Sequence, residues 1–406
     1  MPDKVVLAYS GGLDTSVAIR WLKEKYGFDI ITLTVDVGNE KDFTAVREKA
    51  LKVGAVKAIV KDVKQEFISD FIFPSLEANA VYQGQYPLAT ALSRPLIARE
   101  LALVAKAEGA SAIAHGCTGR GNDQVRLEVG VNALAPGLKN IAPAREWDMT
   151  REETTEYARK HDIPVPVTKK SPYSIDENLW GRSIECGVLE DPWHEPPEDA
   201  FAWTASAKNA PDEPGYAEID FDRGVPVAID GRKLPGIELI QRVAALAGKH
   251  GVGRIDMVED RLVGIKSREI YEAPAAVVLL EAHRALESLT LAKAQAGFKQ
   301  RVSQEYADLI YNGLWYSSHR TDLAAYVRST QRFVSGTVRI KLFKGKCSVV
   351  GRKSPYSLYD YGLATYEKGG SFDQGASVGF IHLWGLPVKT QAQVQPENGK
   401  ETGACK

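Results

Sequence analysis

Short apolar, β-branched runs alternate with segments of helical spacing from Lys4 to about Ile163, and that alternation restricts the fold more than any other feature of the chain. Val5-Val6-Leu7-Ala8 and Ile30-Ile31-Thr32-Leu33-Thr34-Val35 read as strands, and the helical stretches between such runs make βαβ units and hence a parallel sheet. Val17, Ala18, Trp21 and Leu22 form one buried helical stripe, closed by Gly27 as a C-terminal cap. A second helix is predicted from Asp42 to Val53, stopped at Gly54, and a third from Leu96 to Glu108, stopped at Gly109. Ser111-Ala112-Ile113-Ala114 then suits a buried strand running into His115-Gly116. Thr150 and Glu153 form a capping box for a helix through His161, and Pro164 and Pro166 mark a boundary.

The division predicted is therefore a nucleotide-binding α/β domain over 1–170, a second α+β domain over 171–366 and a C-terminal tail over 367–406. The second domain carries the strand Val225-Pro226-Val227-Ala228-Ile229 and helices from Gly236 to Gly248 and from Ala276 to Gln295. Beyond Gly369 the chain is rich in Gly, Gln, Pro and Lys, and Gln391 to Lys406 has too little apolar content for a core, so the tail is expected to be mobile.

The 406 residues leave room for two or three cores, and 51 basic against 52 acidic side chains create no basic field for nucleic acid. Any anion site must be local. Cys117, Cys186, Cys347 and Cys405 lie far apart without a CxxC pair, which argues against a disulfide framework and fits a reducing cytoplasm. The N-terminal residues lead straight into a short apolar run, and no continuous run reaches the roughly 18 apolar residues of a membrane span. A cytoplasmic protein is expected.

Ser10-Gly11-Gly12-Leu13-Asp14-Thr15-Ser16 falls between the first strand and first helix, where a parallel sheet presents strand ends to a ligand. Paired glycines admit close approach of a phosphate, Ser10, Thr15 and Ser16 offer hydroxyls, and free helix N–H groups attract an anion. The same letters also make a turn with Asp14 or Thr15 as helix cap. Helix-dipole attraction supplies only about 0.3–2 kcal/mol, so a nucleotide needs partners at other strand ends. No GxxxxGK[ST] occurs and no GxGxxG follows a strand. Gly375-Ala376-Ser377-Val378-Gly379 spells a hydrolase elbow, but it precedes the strand-like run Phe380-Ile381-His382-Leu383-Trp384 where an elbow requires a helix.

Ala8-Tyr9-Ser10-Gly11-Gly12-Leu13-Asp14-Thr15-Ser16 resembles the pyrophosphate loop of the N-type ATP pyrophosphatase superfamily. His115-Gly116-Cys117-Thr118-Gly119-Arg120-Gly121-Asn122-Asp123-Gln124-Val125-Arg126 is similar to the substrate-binding segment of the argininosuccinate synthase family. Further matches follow in order: Tyr86-Pro87-Leu88-Ala89-Thr90-Ala91 with Arg94-Pro95, then Ser174-Ile175-Asp176-Glu177-Asn178-Leu179-Trp180 with Ser183, then Gly253-Arg254-Ile255-Asp256 through Glu259 to Tyr271. Taken singly, the 116–121 stretch reads as a surface loop, Arg126 as an ion-pair partner and Tyr271 as a packed aromatic. Five segments in one order are not explained that way.

The resemblance implies an adenine nucleotide alpha hydrolase-like domain joined to a synthetase domain, with the active site between them. It implies that ATP adenylates the ureido oxygen of L-citrulline, releasing pyrophosphate, and that L-aspartate then displaces AMP. Ala8, Tyr9, Ser10, Gly11, Gly12, Leu13, Asp14, Thr15, Ser16, Val35 and Gly116 would bind ATP, with Mg²⁺ offsetting its charge. Thr118, Asn122 and Asp123 would hold aspartate. Tyr86, Ala91, Asn122, Arg126, Ser174, Ser183, Glu259 and Tyr271 would hold citrulline, Arg126 through its bidentate fork. Ala91 stands where some relatives carry a hydroxyl, so that position offers one hydrogen bond fewer.

Asp14 and Asp123 are candidates for the general base, with no catalytic residue assigned. A homotetramer is implied, although Gly385, Pro387, Pro396 and Gly399 interrupt the stretch that forms a long assembling helix in many family members. The rivals are a tRNA-thiolating enzyme, which needs nucleic-acid contacts and usually a reactive cysteine, and a nucleotide sensor without turnover. Balanced charge and scattered cysteines count against the first. The polar set of the second domain counts against the other.

Overall fold

Central strands buried on both faces, flanked by more exposed edge strands, build the first layer. A computed structural model describes residues 2–39, 41–147, 149–164 and 172–395, so the expected boundary at 170/171, with Pro166, lies outside the described residues. The chain runs through β1 (Lys4–Ala8), α1 (Leu13–Tyr26), β2 (Asp29–Asp36), α2 (Phe43–Val53) and β3 (Lys57–Asp62). Two short helices, α3 (Lys64–Phe67) and α4 (Phe73–Glu77), lead to the long α5 (Ala89–Glu108), followed by β4 (Ala112–Ala114), α6 (Asp123–Leu134), β5 (Lys139–Ile141), α7 (Pro143–Glu146) and α8 (Arg151–Lys160). The strand order is β3-β2-β1-β4-β5, all parallel. The order reverses at β1, so the carboxyl ends of β1 and β4 open side by side onto a crevice.

The core explains the local choices. α1 buries Val17, Ala18, Ile19 and Leu22, each large side chain contributing about 1.5–3 kcal/mol, and Gly27 ends it at φ 69° in the left-handed region. The Thr150–Glu153 capping box is formed in both directions. α5 starts seven residues before the expected Leu96, with Pro95 inside it. Interior proline costs about 3 kcal/mol, but Leu92, Pro95 and Leu96 are all buried, and that packing outweighs the lost backbone bond.

The second half is antiparallel. It comprises β6 (Ser174–Asn178), β7 (Gly181–Glu185), β8 (Gly215–Asp222), β9 (Val225–Ile229), β10 (Arg232–Lys233), α9 (Gly236–Lys249), β11 (Arg254–Asp260), β12 (Lys266–Glu272), α10 (Pro274–Thr290), α11 (Lys293–Tyr311), α12 (Ser318–Thr330), β13 (Gly336–Phe343) and β14 (Lys346–Lys353). Its sheets are ordered β10-β9-β8-β13-β14 and β11-β12-β7-β6. The single helix expected from Ala276 to Gln295 is two: Leu291 turns extended at ψ 135° and is buried in the main core, which redirects the chain into α11.

This compact unit continues to Tyr356, and a second begins at Ser357. The second holds α13 (Tyr361–Ala364) and α14 (Ala376–Val394), which overturns the expectation of a strand over Phe380–Trp384. A short, wholly apolar run has no period to tell helix from strand. Gly385 and Pro387 lie within this helix. Ser377 falls in its first turn with no strand before it, so the elbow is excluded by the missing strand and not by a missing helix. Among the described residues no helix is long and apolar enough to cross a membrane.

Candidate active site

A cleft of about 930 Å³ opens within the first unit at the carboxyl ends of β1 and β4, closed opposite by the β11-β12-β7-β6 sheet. Ala8, Tyr9, Ser10, Gly11, Gly12, Asp14, Thr15, Val35 and Gly116 line it from the parallel sheet. Gly11 sits at φ 80°, and a Cβ there would come within 3.1 Å of Val46 on α2, so the turn requires glycine on two counts. Gly12 caps α1 without any side chain spanning the first helix N–H groups. The loop is braced from beneath. Ser16 Oγ donates to the Gly12 carbonyl at 2.7 Å and meets Tyr9 Oη at 3.0 Å, while Ser10 Oγ and Thr15 Oγ1 are 3.2 Å apart. Ser16 is thus fully buried under the loop, and Leu13 packs into the core beside α1. Lys49 Nζ donates to the Gly11 carbonyl at 2.9 Å, bringing a cation to the loop.

The corner after β4 is fixed by His115, whose Nδ1 accepts from the Cys117 amide at 3.3 Å and whose Nε2 meets Glu128 at 2.9 Å. Cys117 lines the cleft, but burial, then the nearby Asp123 charge, pushes its thiol up to about 12, so it is no thiolate nucleophile at neutral pH. Thr118 is exposed beyond this corner and does not line the cleft.

The first turn of α6 supplies the charged centre. Asp123 accepts from Arg94 Nη2 at 2.7 Å and from Arg126 Nη1 at 3.0 Å, and Arg94 also pairs with Asp176 on β6. Burial pushes the Asp123 carboxyl up, but the two guanidiniums outweigh it and hold it at about 2. Arg126 is 4% exposed; its Nε donates to the Tyr311 carbonyl at 2.8 Å, and its buried Nη2 has no partner. A buried guanidinium nitrogen left unpaired at a cleft wall is a ready site for an anion.

The far wall comes from sheet register. Tyr271 on β12 pairs with Ser183 on β7 and with Ile255 on β11, which brings residues far apart in sequence onto one surface. Tyr271 donates to Glu259 at 2.7 Å, and its ring stacks on Tyr86 with centroids 4.2 Å apart. Burial raises Glu259 above the usual carboxylate range, against the hydroxyls of Tyr311 and Tyr271 that lower it. Ser174 and Ser183 line the same wall. Ala91 does not; its buried amide N–H donates to Tyr86 Oη at 3.3 Å.

Sequence reasoning placed Arg94 and Asp176 within matched strings without giving either a role, and it passed over Lys41, Glu185, Arg261 and Glu269, which also line the cleft. Arg261 Nη2 holds Glu185 at 2.6 Å and Glu269 at 2.8 Å. Their strands meet only through sheet pairing, so no local spacing signals them.

Residues 4–164 match the family model for the arginosuccinate synthase N-terminal HUP domain, and residues 173–391 that for the arginosuccinate synthase C-terminal domain. Over 403 residues, 99% of each chain, the sequence is 65% identical to a protein named argininosuccinate synthase from Dehalococcoides mccartyi strain 195. It is 58% identical to those of Symbiobacterium thermophilum, over 97% of this chain and 98% of that one, and of Gloeobacter violaceus, over 97% and 99%.

Proposed function

The chain belongs to the argininosuccinate synthase family, and from that premise we propose how its cleft divides among three substrates. It is a carbon–nitrogen ligase of arginine biosynthesis that joins L-citrulline to L-aspartate at the expense of ATP, through citrullyl-AMP, with release of pyrophosphate and AMP. Residues 1–170 act as the nucleotide half, 171–366 as the synthetase half and 367–406 as the tail.

In this reading ATP lies along Ala8–Ser16 with its nucleoside toward Val35 and Gly116. The uncapped N-terminus of α1 faces the phosphates, and Lys41 and Lys49 offset their charge. Ser16 and Leu13 support the loop from below. ATP enters as its Mg²⁺ complex, the ion held mainly by phosphate oxygens and water, as Mg²⁺ prefers.

Citrulline's carboxylate meets Arg126, and its far end meets Tyr86, Ser174, Ser183, Glu259 and Tyr271, with Ala91 behind that wall, its amide on the Tyr86 hydroxyl. Aspartate lies between Thr118, Asn122 and Asp123. A carboxylate held ionised at about 2 is a poor proton acceptor, which favours Asp123 as the partner of an ammonium over a role as base. Asp14, exposed in the first turn of α1, remains the other candidate. The mechanism then rests on alignment: the ureido oxygen is set against the α-phosphorus, and the aspartate amine against the activated carbon.

The observation that carries this assignment is the buried, unpaired Nη2 of Arg126 at the junction of the two walls. Incubation with MgATP, citrulline and labelled aspartate should give AMP, pyrophosphate and labelled argininosuccinate in equal amounts. Formation of ADP, or turnover without citrulline, would overturn it. The protein is cytosolic in this reading, with no nucleic-acid or membrane partner. It is a homo-oligomer, a tetramer by family likeness, for which the exposed apolar side chains Phe380, Ile381, Leu383, Trp384 and Val388 of α14 offer a contact surface.

A further inference from the structure

Tyr311, the last residue of α11, does not line the cleft, yet it touches four residues that do. Its hydroxyl donates to Glu259 Oε1 at 2.6 Å and accepts from Asn122 Nδ2 at 2.8 Å. Its carbonyl accepts from Arg126 Nε at 2.8 Å, and the Arg126 guanidinium lies over its ring at 4.7 Å. The ring is clamped by Tyr82, stacked at 3.6 Å with planes 8° apart, and by the edge of Tyr86.

Directions of donation remove the freedom in this chain. The Leu262 amide in the β11–β12 turn can only donate, and it does so to Asn122 Oδ1 at 2.8 Å. That fixes the carboxamide with its nitrogen toward Tyr311, so the phenol oxygen must accept there and spend its single hydrogen on Glu259. Glu259 takes its second hydroxyl from Tyr271 at 2.7 Å. One N–H of Asn122 is left over for a ligand. From Asn122 through Tyr311 to Glu259 the relay is buried, and in such surroundings one bond polarises the next.

We propose that Tyr311 is a positioning residue that couples the aspartate and citrulline subsites, orienting Asn122 for one and Glu259 for the other through a single hydroxyl. This rests on the assignment of Asn122 and Glu259 to those subsites. The ATP loop is not in the relay, so ATP affinity is independent of it.

Tyr311→Phe keeps the ring, its stacking and its carbonyl and deletes only the hydroxyl. The KM values for citrulline and aspartate should each rise at least fivefold while that for ATP stays within twofold, and the stabilisation of the fold by MgATP should be unchanged. The pH profile adds a signature that a scaffold role would not move. Glu259 is faced by Arg126 from α6, Tyr311 from α11, Tyr271 and Glu269 from β12, Tyr82 and Tyr86 from the segment before α5, and Arg261 from the β11–β12 turn. Loss of one hydroxyl donor raises its pKa further, so the acid limb of kcat/KM for citrulline should move to higher pH. Glu259→Gln, the second variant, should raise the KM for aspartate as well as citrulline.

Unaltered KM values in Tyr311→Phe, an equal rise for all three substrates, or a Glu259→Gln effect confined to citrulline each overturn the coupling. If the wild-type chain makes no argininosuccinate, the subsite assignment itself fails. If it does and the variants behave as wild type, only the role of Tyr311 fails.

Discussion

Glu272 sits one residue past Tyr271 on β12, facing the opposite side of the sheet, and is fully buried. Its Oε2 accepts from Arg182 Nη1 at 2.8 Å and the Ala202 amide at 2.9 Å, while Oε1 accepts from the amides of Trp203 and Thr204 and from Thr204 Oγ1 at 2.7–2.9 Å. In Glu272→Gln one oxygen becomes an NH₂ group that meets only donors. The less damaging orientation still abandons Arg182 and Ala202. A buried charge stripped of its partner costs about 3–5 kcal/mol, taken at the low end because Glu177 stands 3.5 Å from Arg182, and an unmade amide bond adds about 1–3. The loss is therefore about 5 kcal/mol. Unfolding entropy of about 2.1 cal/mol/K per residue gives ~0.75 kcal/mol/K for the unit ending at Tyr356, so Tm should fall by about 7 °C. Calorimetry reads this directly. Arg182→Met/Glu272→Gln removes the stranded charge and should recover about 3 kcal/mol of the loss. A Tm within about 2 °C of wild type for the single variant, or a double variant no better than the single, would refute the argument.

Arg126→Ala should raise the KM for citrulline about 10- to 100-fold, the worth of a charge-assisted pair, and that for ATP less than threefold; equal changes in steady-state kinetics would remove its assigned role. Glu269 is raised to about 7 by burial and then by Glu185, against about 4.3 unfolded. The folded chain therefore holds this proton longer, and the contribution to stability falls as pH rises from about 4.3 to 7 and is flat above. Glu269→Gln should abolish that slope, a gain over wild type growing to at most about 3 kcal/mol by pH 7 in denaturant titrations; parallel curves would refute it. Gly116→Ala places a Cβ 2.9 Å from Thr15 Cγ2, so the KM for ATP should rise several-fold with citrulline unaffected in initial-rate assays. A chain ending at Tyr356 should sediment with fewer subunits per particle than the full chain, since it lacks the apolar face of α14.

The parallel half was legible because its signals are local. The strand at Val5, the stripe of α1, the Gly27 and Gly109 caps and the capping box at Thr150 each concern residues a few positions apart. The failures have physical causes of their own. The helix expected from Leu96 starts at Ala89 because burial carries it through Pro95, Leu291 broke a pattern that periodicity continued, and the run at Phe380 had no period to read. Within the cleft the glycine loop was visible as a turn, and family likeness supplied the proposed substrate contacts. Arg261 with Glu185, and Tyr311 with Asn122, stayed hidden because sheet pairing and a helix end bring them together across long separations, and Arg261 meets Glu269 only once the β11–β12 hairpin forms.

That separation has a consequence for the newborn chain. Asn122 and Tyr311 are 189 residues apart, so a ribosome adding about 5–20 residues per second needs roughly 10–40 s between them. Every strand of the parallel sheet is synthesised before that interval is far advanced, since β5 ends at Ile141. During translation the glycine loop after β1 can therefore take its final shape long before the subsites proposed for the amino acids exist. Only when α11 emerges is the relay from Asn122 through Tyr311 to Glu259 closed, and in the proposed assignment a nascent chain able to bind ATP then becomes one able to select its other two substrates.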